Sequence, residues 1–188
     1  SSTATTVVLS RKFVKEDHQD KALIASSIFF ATAIMYIRVQ ILALIFNTKL
    51  AFALLPYFFM LFVATSGLAY LIYRKRNKGK AENGHLSNKN PLELRTALIF
   101  ALLYILFSFL TEYAINNFGE TGIKTLSWLI GITYVDPFLL NIFQGKFTLS
   151  QHILVLATLQ ALIGNNLLKL FLAHSIAGSP LVKYLYVG

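Results

Sequence analysis

Five stretches of this chain are apolar over about 20 residues or more, the length that a helix needs to cross a bilayer. A soluble domain of 188 residues that is 56% hydrophobic and 13% charged could not keep so much apolar surface away from water. In lipid, a helix satisfies its own backbone hydrogen bonds. The sequence therefore predicts an all-α, polytopic transmembrane helix bundle, a single domain over residues 1–188. The candidate spans are 22–46, 50–73, 96–115, 122–143 and 149–173.

Both ends of the chain have the pattern of partial helices. Residues 1–10 start without a methionine and show no signal-peptide pattern. Residues 180–188 begin an apolar pattern that stops too early to span a membrane. We expect both segments to be parts of longer, truncated helices.

The longest polar stretch, residues 74–90, carries six basic residues and one acid, Glu82. Basic loops stay on the cytoplasmic side of a membrane, so we expect loop 74–90 to be cytoplasmic. Alternation then puts 116–120 outside. Loop charge also accounts for the net charge of +9. We expect membrane lipid around the helices and no nucleic-acid partner, because no basic face of a soluble module is visible.

The sequence lacks the usual signals of enzymes and metal sites. It contains no cysteine, which excludes disulfides and thiolate metal ligands. It contains no G-x-S-x-G, H-E-x-x-H or Walker motif. Its histidines are scattered at predicted loops and helix ends. We therefore expect no enzyme activity, no metal site and no cofactor. The histidines are His18, His85, His152 and His174.

Among the charged residues within the apolar stretches, Arg38, Asp136 and Lys169 carry the most information about function. Charges in hydrocarbon are costly, so they usually face a partner, a cavity or a substrate path. The two cations lie in the outward halves of their predicted helices. One interpretation is that their long side chains reach the outer headgroups. The other is that they act as counter-ions for Asp136, for Glu112 or for an anionic substrate.

Asp136 precedes Pro137, and this pair favours a break in the helix at residues 135–136. With Thr133 and the neighbouring Gly131, the pair predicts a discontinuous helix. Irregular backbone of this kind builds ion sites near the membrane midplane in transporters. The alternative is a purely structural ion pair between Asp136 and one of the two cations.

Other polar side chains are candidates for the same region. Two adjacent amides bring several donors and acceptors into an apolar helix, where unsatisfied polar groups are costly. They either bridge helices or bind a ligand. If a helix precedes the run of hydroxyl residues at 1–6, we expect the run to line the same cavity as Asp136; if the chain starts at Ser1, the run is a frayed end. These candidates are Asn165, Asn166, Ser2, Thr3 and Thr5.

Two parts of the chain correspond when the sequence is shifted by 131 residues. Each part has a short polar motif, a turn, and a long helix with a late cation. Two copies of one orientation are a known way to build a transporter. We therefore expect an internal parallel repeat. The shift aligns Arg38 with Lys169, Ala33 with Gly164, Ser2 with Thr133, and Thr5 with Asp136.

Four segments carry a resemblance to a known family, namely 1–12, 90–100, 131–138 and 165–173. They resemble, in this order, the uncharacterised C-terminal membrane domain of long MgtC/SapB-family bacterial proteins. The resemblance implies a protein of the bacterial inner membrane. It also implies an MgtC-like N-terminal half before Ser1 and a further helix after Gly188.

The resemblance extends to the motif around Asp136, with one departure. The family motif commonly reads G-L-T-D-V-D, with two acids, whereas this chain reads GITYVD over residues 131–136. Thr133 and Asp136 match the motif, and Tyr134 stands in place of the first acid. A cation site with two carboxylates is therefore not expected here.

Two functions fit these features. The first is a transporter or channel domain for an ion or small solute, with Asp136 as the ion or proton site. The alternative is a non-transporting membrane regulator that binds another membrane complex through small-residue helix faces, such as Ala157 and Ala161. Homo-oligomers are expected in either case, because five or six helices leave little room for an enclosed path. The predicted path residues are Asp136, Thr133, Arg38, Lys169, Asn165, Asn166, Ser2, Thr3 and Thr5.

Overall fold

The structure is a computed structural model, and it describes residues 2–15, 21–74, 94–145 and 149–186. These residues form helices and short connections, with no strand among them, which confirms the predicted all-α bundle. All of loop 74–90 except Arg74 lies outside the described residues, as do His18 and His85. The helices are α1 (Ser2–Lys15), α2 (Lys21–Phe46), α3 (Thr48–Arg74), α4 (Leu94–Gly131), α5 (Val135–Phe143) and α6 (Gln151–Tyr186).

Four helical segments in the described part of the chain are long and apolar enough to cross a membrane. Only 22% of the second segment's most apolar window and 17% of the third's is buried inside the bundle. Apolar surface of that extent marks contact with lipid rather than water. The chain is therefore a membrane protein. The segments are Lys21–Phe46, Thr48–Arg74, Ala97–Gly131 and Gln151–Gly178.

Helix α4 reverses direction at Gly119. This residue has φ 55° and ψ −134°, a conformation that glycine tolerates and other residues rarely adopt. Leu110 and Leu129, on either side of the reversal, line one groove. The two arms therefore run antiparallel, and the reversal falls within the segment 116–120 that the sequence assigned to an outside connection. The predicted span 96–115 occupies the first arm.

The broken helix predicted near Asp136 is present, but its break lies earlier than residues 135–136. The helix stops at Gly131, and helix α5 restarts at Val135. The Thr133 hydroxyl and backbone N–H both donate to the Ile130 carbonyl, at 2.9 and 2.8 Å, and close the end of α4. Pro137 then sits in the first turn of α5, where its missing N–H would have no helical partner.

Helix α5 is enclosed by the rest of the bundle. It packs against α2, α4 and α6. Phe138, Leu139, Ile142 and Phe143 are completely buried. Irregular backbone is tolerated at membrane depth only beside protein or water, and the break before α5 meets this condition.

The short helices α1 and α5 correspond under the 131-residue shift, as do the long helices α2 and α6. Both short helices pack against both long ones. This arrangement is the one expected if α1 with α2 and α5 with α6 are two parallel copies of one unit, each with a short and a long helix.

The second arm of α4 touches α6 through backbone at Gly131. A Cβ atom at this glycine would lie 2.5 Å from the Ala161 carbonyl oxygen and 3.1 Å from the Gly164 Cα. Small residues allow this close approach of two membrane helices. The crossing holds the end of α4, and with it the break before Asp136, against α6.

Gly131→Ala is therefore expected to destabilise the bundle. Backbone must move to admit the methyl group, at a cost of about 1–3 kcal/mol. For a chain of this length, that lowers the midpoint of thermal unfolding by about 3–10 °C. The measurement is thermal unfolding in detergent. Gly67→Ala is the matched control, because a Cβ atom at Gly67 meets nothing within 4 Å. Equal midpoints for the two variants would contradict the close crossing.

Candidate functional site

A polar cavity of about 140 Å³ lies where four segments of the chain meet. The segments are the start of α1, the middle of α2, the break between α4 and α5, and the middle of α6. We call this space the central cavity. It brings together six of the nine residues that the sequence assigned to a path. These are Ser2, Thr3, Arg38, Thr133, Asp136 and Asn165.

An ion pair forms one wall of the central cavity. Arg38 on α2 donates to the Asp136 carboxylate at 2.5 Å. The Arg38 side chain is 46% exposed and the Asp136 side chain 21%. Of the alternatives that the sequence left open, the structure supports Arg38 as the counter-ion of Asp136. Because both groups retain some exposure, the pair is accessible to an ion or solute that enters the cavity.

Asp136 also lies in the first turn of α5. The N-terminal end of a helix carries partial positive charge from its unpaired N–H groups, and a carboxylate there is stabilised. Arg38 and this helix end therefore both place positive charge beside the Asp136 carboxylate. A second cation is not needed to hold the charge.

Lys169 faces the interior of the bundle and is only 4% exposed. Its ammonium donates to the Met35 sulfur at 3.1 Å and to the Asn166 side-chain oxygen at 3.3 Å. The interpretation that this side chain reaches the headgroups is therefore wrong. Lys169 is not in the lining of the central cavity, but its ammonium contacts Met35, which is.

The two adjacent amides have different surroundings. Asn166 bridges helices: its amide nitrogen donates to the Tyr36 hydroxyl at 2.7 Å. It lies outside the lining of the central cavity. Asn165 lines the cavity, and its nitrogen is 3.5 Å from the Thr3 hydroxyl. The Asn165 side-chain oxygen is buried and has no hydrogen-bond partner among the described residues.

The hydroxyl run divides between two faces of α1. Ser2 and Thr3 line the central cavity, and the Ser2 hydroxyl contacts the Met35 sulfur at 3.2 Å. Thr5 lies outside the cavity lining, on an exposed part of the helix. Residues two apart point to different sides of a helix, so the run could not enter the cavity as a whole.

Met35, in the lining of the central cavity, and Tyr36, beside it on α2, were not among the residues that the sequence assigned to a path. Met35 contacts both Ser2 and Lys169. Its position one turn before Arg38, on the same face, was a usable signal. Tyr36 holds Asn166, and the sequence offered no signal beyond a polar hydroxyl in an apolar helix.

The other candidate acid is remote from this site. Glu112 on α4 is exposed and does not line the central cavity. Within the described residues, no three His, Asp or Glu side chains are grouped as metal ligands would be.

Residues 1–177 match the protein family described as "Domain of unknown function (DUF4010)". The chain belongs to this family. All the lining residues of the central cavity fall within the matched part of the DUF4010 domain. The match agrees with the expected membrane domain of uncharacterised function, and it carries no information on MgtC/SapB proteins.

This DUF4010 domain is similar to a protein of Aquifex aeolicus (strain VF5) that bears the name "Uncharacterized protein". The two are 34% identical over 183 residues, which cover 90% of this chain and 74% of the relative. No solved structure matches the chain.

Proposed function

We propose that this DUF4010 domain is a transporter or channel domain for an ion or small solute, with the central cavity on its path. The observation that carries the proposal is a cavity whose lining includes a partly exposed ion pair and several polar side chains, inside a bundle that faces lipid. Met35 and Asn165, in its lining, lie near the midpoints of their spanning segments. Charged and polar groups at that depth usually mark an ion or substrate pathway.

The volume of the cavity limits what it can hold. Its volume is about 140 Å³. Pockets that bind drug-sized molecules are larger, roughly 300–1,000 Å³. It has room for several water molecules or a partly hydrated ion. The proposed cargo is therefore an ion or a solute of a few heavy atoms.

The residues of the cavity suggest how an ion would pass. Asp136 is the ion or proton site, and Arg38 holds the carboxylate while the site is empty. An incoming ion competes for one member of this pair. The hydroxyls of Ser2 and Thr3 replace part of the lost hydration, and the unpartnered Asn165 oxygen accepts a hydrogen bond from water or solute.

Filling the cavity tests this proposal. Ala4 lines the central cavity, and Ala4→Trp adds an indole ring that takes up most of its volume. We expect the flux of small ions into liposomes that contain this variant to fall at least about tenfold, which corresponds to about 1.4 kcal/mol. Ala64→Trp is the matched control, since Ala64 is exposed on α3 and does not line the central cavity. Equal flux in the two variants would remove the cavity from the path.

We also propose that the domain lies in the bacterial inner membrane with loop 74–90 in the cytoplasm. The six basic residues of the loop support this orientation. Because the chain has no cysteine, a cysteine introduced by Ser87→Cys would be the only reactive thiol. Labelling of that thiol from the periplasmic side of intact cells would contradict the orientation.

Two partners belong to the same proposal. One is an MgtC-like half in the same protein, supported by the resemblance of four segments of the chain. The other is a second copy of this chain. Homo-oligomers are supported by the small size of the central cavity, which leaves no wide pore within the described part of one chain. The length of the native polypeptide tests the first partner. Crosslinking of the protein in native membranes tests the second, and recovery of monomers alone would contradict homo-oligomers.

The small-residue face that the sequence suggested as the docking site of a regulator is not exposed. Ala157 and Ala161 are completely buried, and Ala161 meets Gly131 at the crossing of α4 and α6. A partner could reach these residues only by opening the bundle. Transport is therefore the function that we propose.

A further inference from the structure

A second cavity of about 150 Å³ lies between α2, α3 and α6. Lys169, Asn166 and Tyr36 form its polar side, and we call it the Lys169 cavity. None of these three residues lines the central cavity. Met35 separates the two spaces, since it lines the first and contacts Lys169 in the second.

The charge of Lys169 has no carboxylate beside it. Within the described residues, the two ion pairs are Arg38–Asp136 and Lys124–Glu120. Asp136 attracts the Lys169 ammonium through space, but it is paired directly with Arg38, whose own positive charge opposes that attraction. An ammonium that is 4% exposed, within a membrane bundle, requires compensation by an opposite charge or strong acceptors.

The hydrogen bonds around Lys169 leave donors in excess. An ammonium has three N–H groups. Lys169 gives one to the Met35 sulfur, a weak acceptor, and one to Asn166. The third has no acceptor among the residues that the structure describes. The ammonium can therefore still donate one hydrogen bond.

Tyr36 ends the chain of donors. The Asn166 side-chain oxygen accepts a hydrogen bond from Lys169, and the Asn166 nitrogen donates one to the Tyr36 oxygen. The hydrogen bonds therefore run in one direction, from Lys169 through Asn166 to Tyr36. The Tyr36 hydroxyl is buried, at 2% exposure for the residue, and in the described part of the chain its own proton meets no acceptor. A chain polarised in this way strengthens the last donor.

The remaining polar groups of the cavity are neutral. The Thr32 hydroxyl donates to the Ile28 carbonyl at 3.1 Å, and the Thr65 hydroxyl to the Leu61 carbonyl at 2.7 Å. Their protons are already used, and neither residue carries a negative charge. Among the described residues that line this space, Lys169 alone carries a charge.

We propose that the Lys169 cavity binds one small monovalent anion, held by the ammonium of Lys169 and the hydroxyl of Tyr36. The volume admits a halide, nitrate or formate and excludes large organic anions. The anion would accept the two hydrogen bonds left open and neutralise the buried charge. This site lies outside the central cavity, and binding there does not depend on transport.

Equilibrium binding of radiolabelled iodide to the purified chain tests the site, in a buffer whose only other anion is gluconate. We expect saturable binding of about one iodide per chain, displaced by chloride or nitrate. Lys169→Met should abolish saturable binding. Tyr36→Phe, which removes only the hydroxyl, should weaken it about tenfold, the factor for one hydrogen bond to a charged group. Lys124→Met removes an exposed lysine and should bind as the wild type does.

Three results would overturn the proposal. The first is a wild-type chain without saturable iodide binding, which would mean that Lys169 is buried without an anion. The second is equal, non-saturating binding in all variants, which would mark adventitious association with the basic protein or detergent. The third is an affinity for iodide in Tyr36→Phe equal to that of the wild type. This result would overturn the proposal even if Lys169→Met fails to fold.

Discussion

Asp136→Asn is expected to abolish most ion flux through the domain while leaving membrane insertion intact. Asparagine keeps the shape of the side chain and removes its charge. Arg38 then loses its counter-ion, and the central cavity loses the group that would exchange an ion or proton. A hydrogen bond to a charged group contributes about 1.5–3 kcal/mol, so we expect flux to fall about 10- to 100-fold. The measurement is flux into liposomes at matched protein density.

Glu112→Gln is the control for this variant. It makes the same chemical change at an exposed carboxylate on α4 that does not line the central cavity. Its flux should equal that of the wild type. Insertion is checked by the amount of each variant in the membrane fraction and by helical circular dichroism. Wild-type flux in Asp136→Asn would contradict the role of Asp136.

Lys169→Met is expected to make the protein more stable. Lysine pays a large desolvation penalty where it is buried, and no carboxylate lies beside it among the described residues. Methionine has a similar length and no charge. Replacing buried charges by apolar side chains often stabilises proteins by about 1–4 kcal/mol. The loss of the hydrogen bond to Asn166 offsets about 1 kcal/mol of this gain.

The expected rise in the midpoint of thermal unfolding is about 2–10 °C, measured in detergent with gluconate as the only added anion. Lys124→Met is the control, because Lys124 is an exposed lysine paired with Glu120 at 3.7 Å. Surface changes of this kind usually alter stability by less than about 0.5 kcal/mol. A lower midpoint for Lys169→Met than for the wild type would show that the ammonium is needed to hold α2 and α6 together.

Helices α2 and α3 could be predicted closely from the sequence because lipid imposes both their length and their composition, whereas the predicted span 122–143 is divided between α4 and α5. The predicted spans 22–46 and 50–73 differ by at most two residues at each end from Lys21–Phe46 and Thr48–Arg74. The break before Asp136 was predicted from the Asp136–Pro137 pair. The exact position of the break was not predicted. A proline can end the helix that precedes it, but it also fits the first turn of a helix that has already begun.

The side-chain directions at the site could not be predicted in the same way. The position of Lys169 along its helix is compatible both with headgroup contact and with an inward turn. The choice depends on Met35, which faces it from another helix. Thr3 and Thr5 have nearly the same sequence context, and only the packing of α1 against α2 and α6 places one at the cavity and the other outside.

The most direct test of the central claim is a density map of the protein in lipid, at a resolution that shows ordered water and ions. We predict water or ions in the central cavity, in contact with Asp136 and the side-chain oxygen of Asn165, and a hydrated connection to at least one membrane face. A dry site, with Asp136 bonded only to Arg38 and apolar packing on both sides of the pair, would contradict the proposed path and make these charges structural.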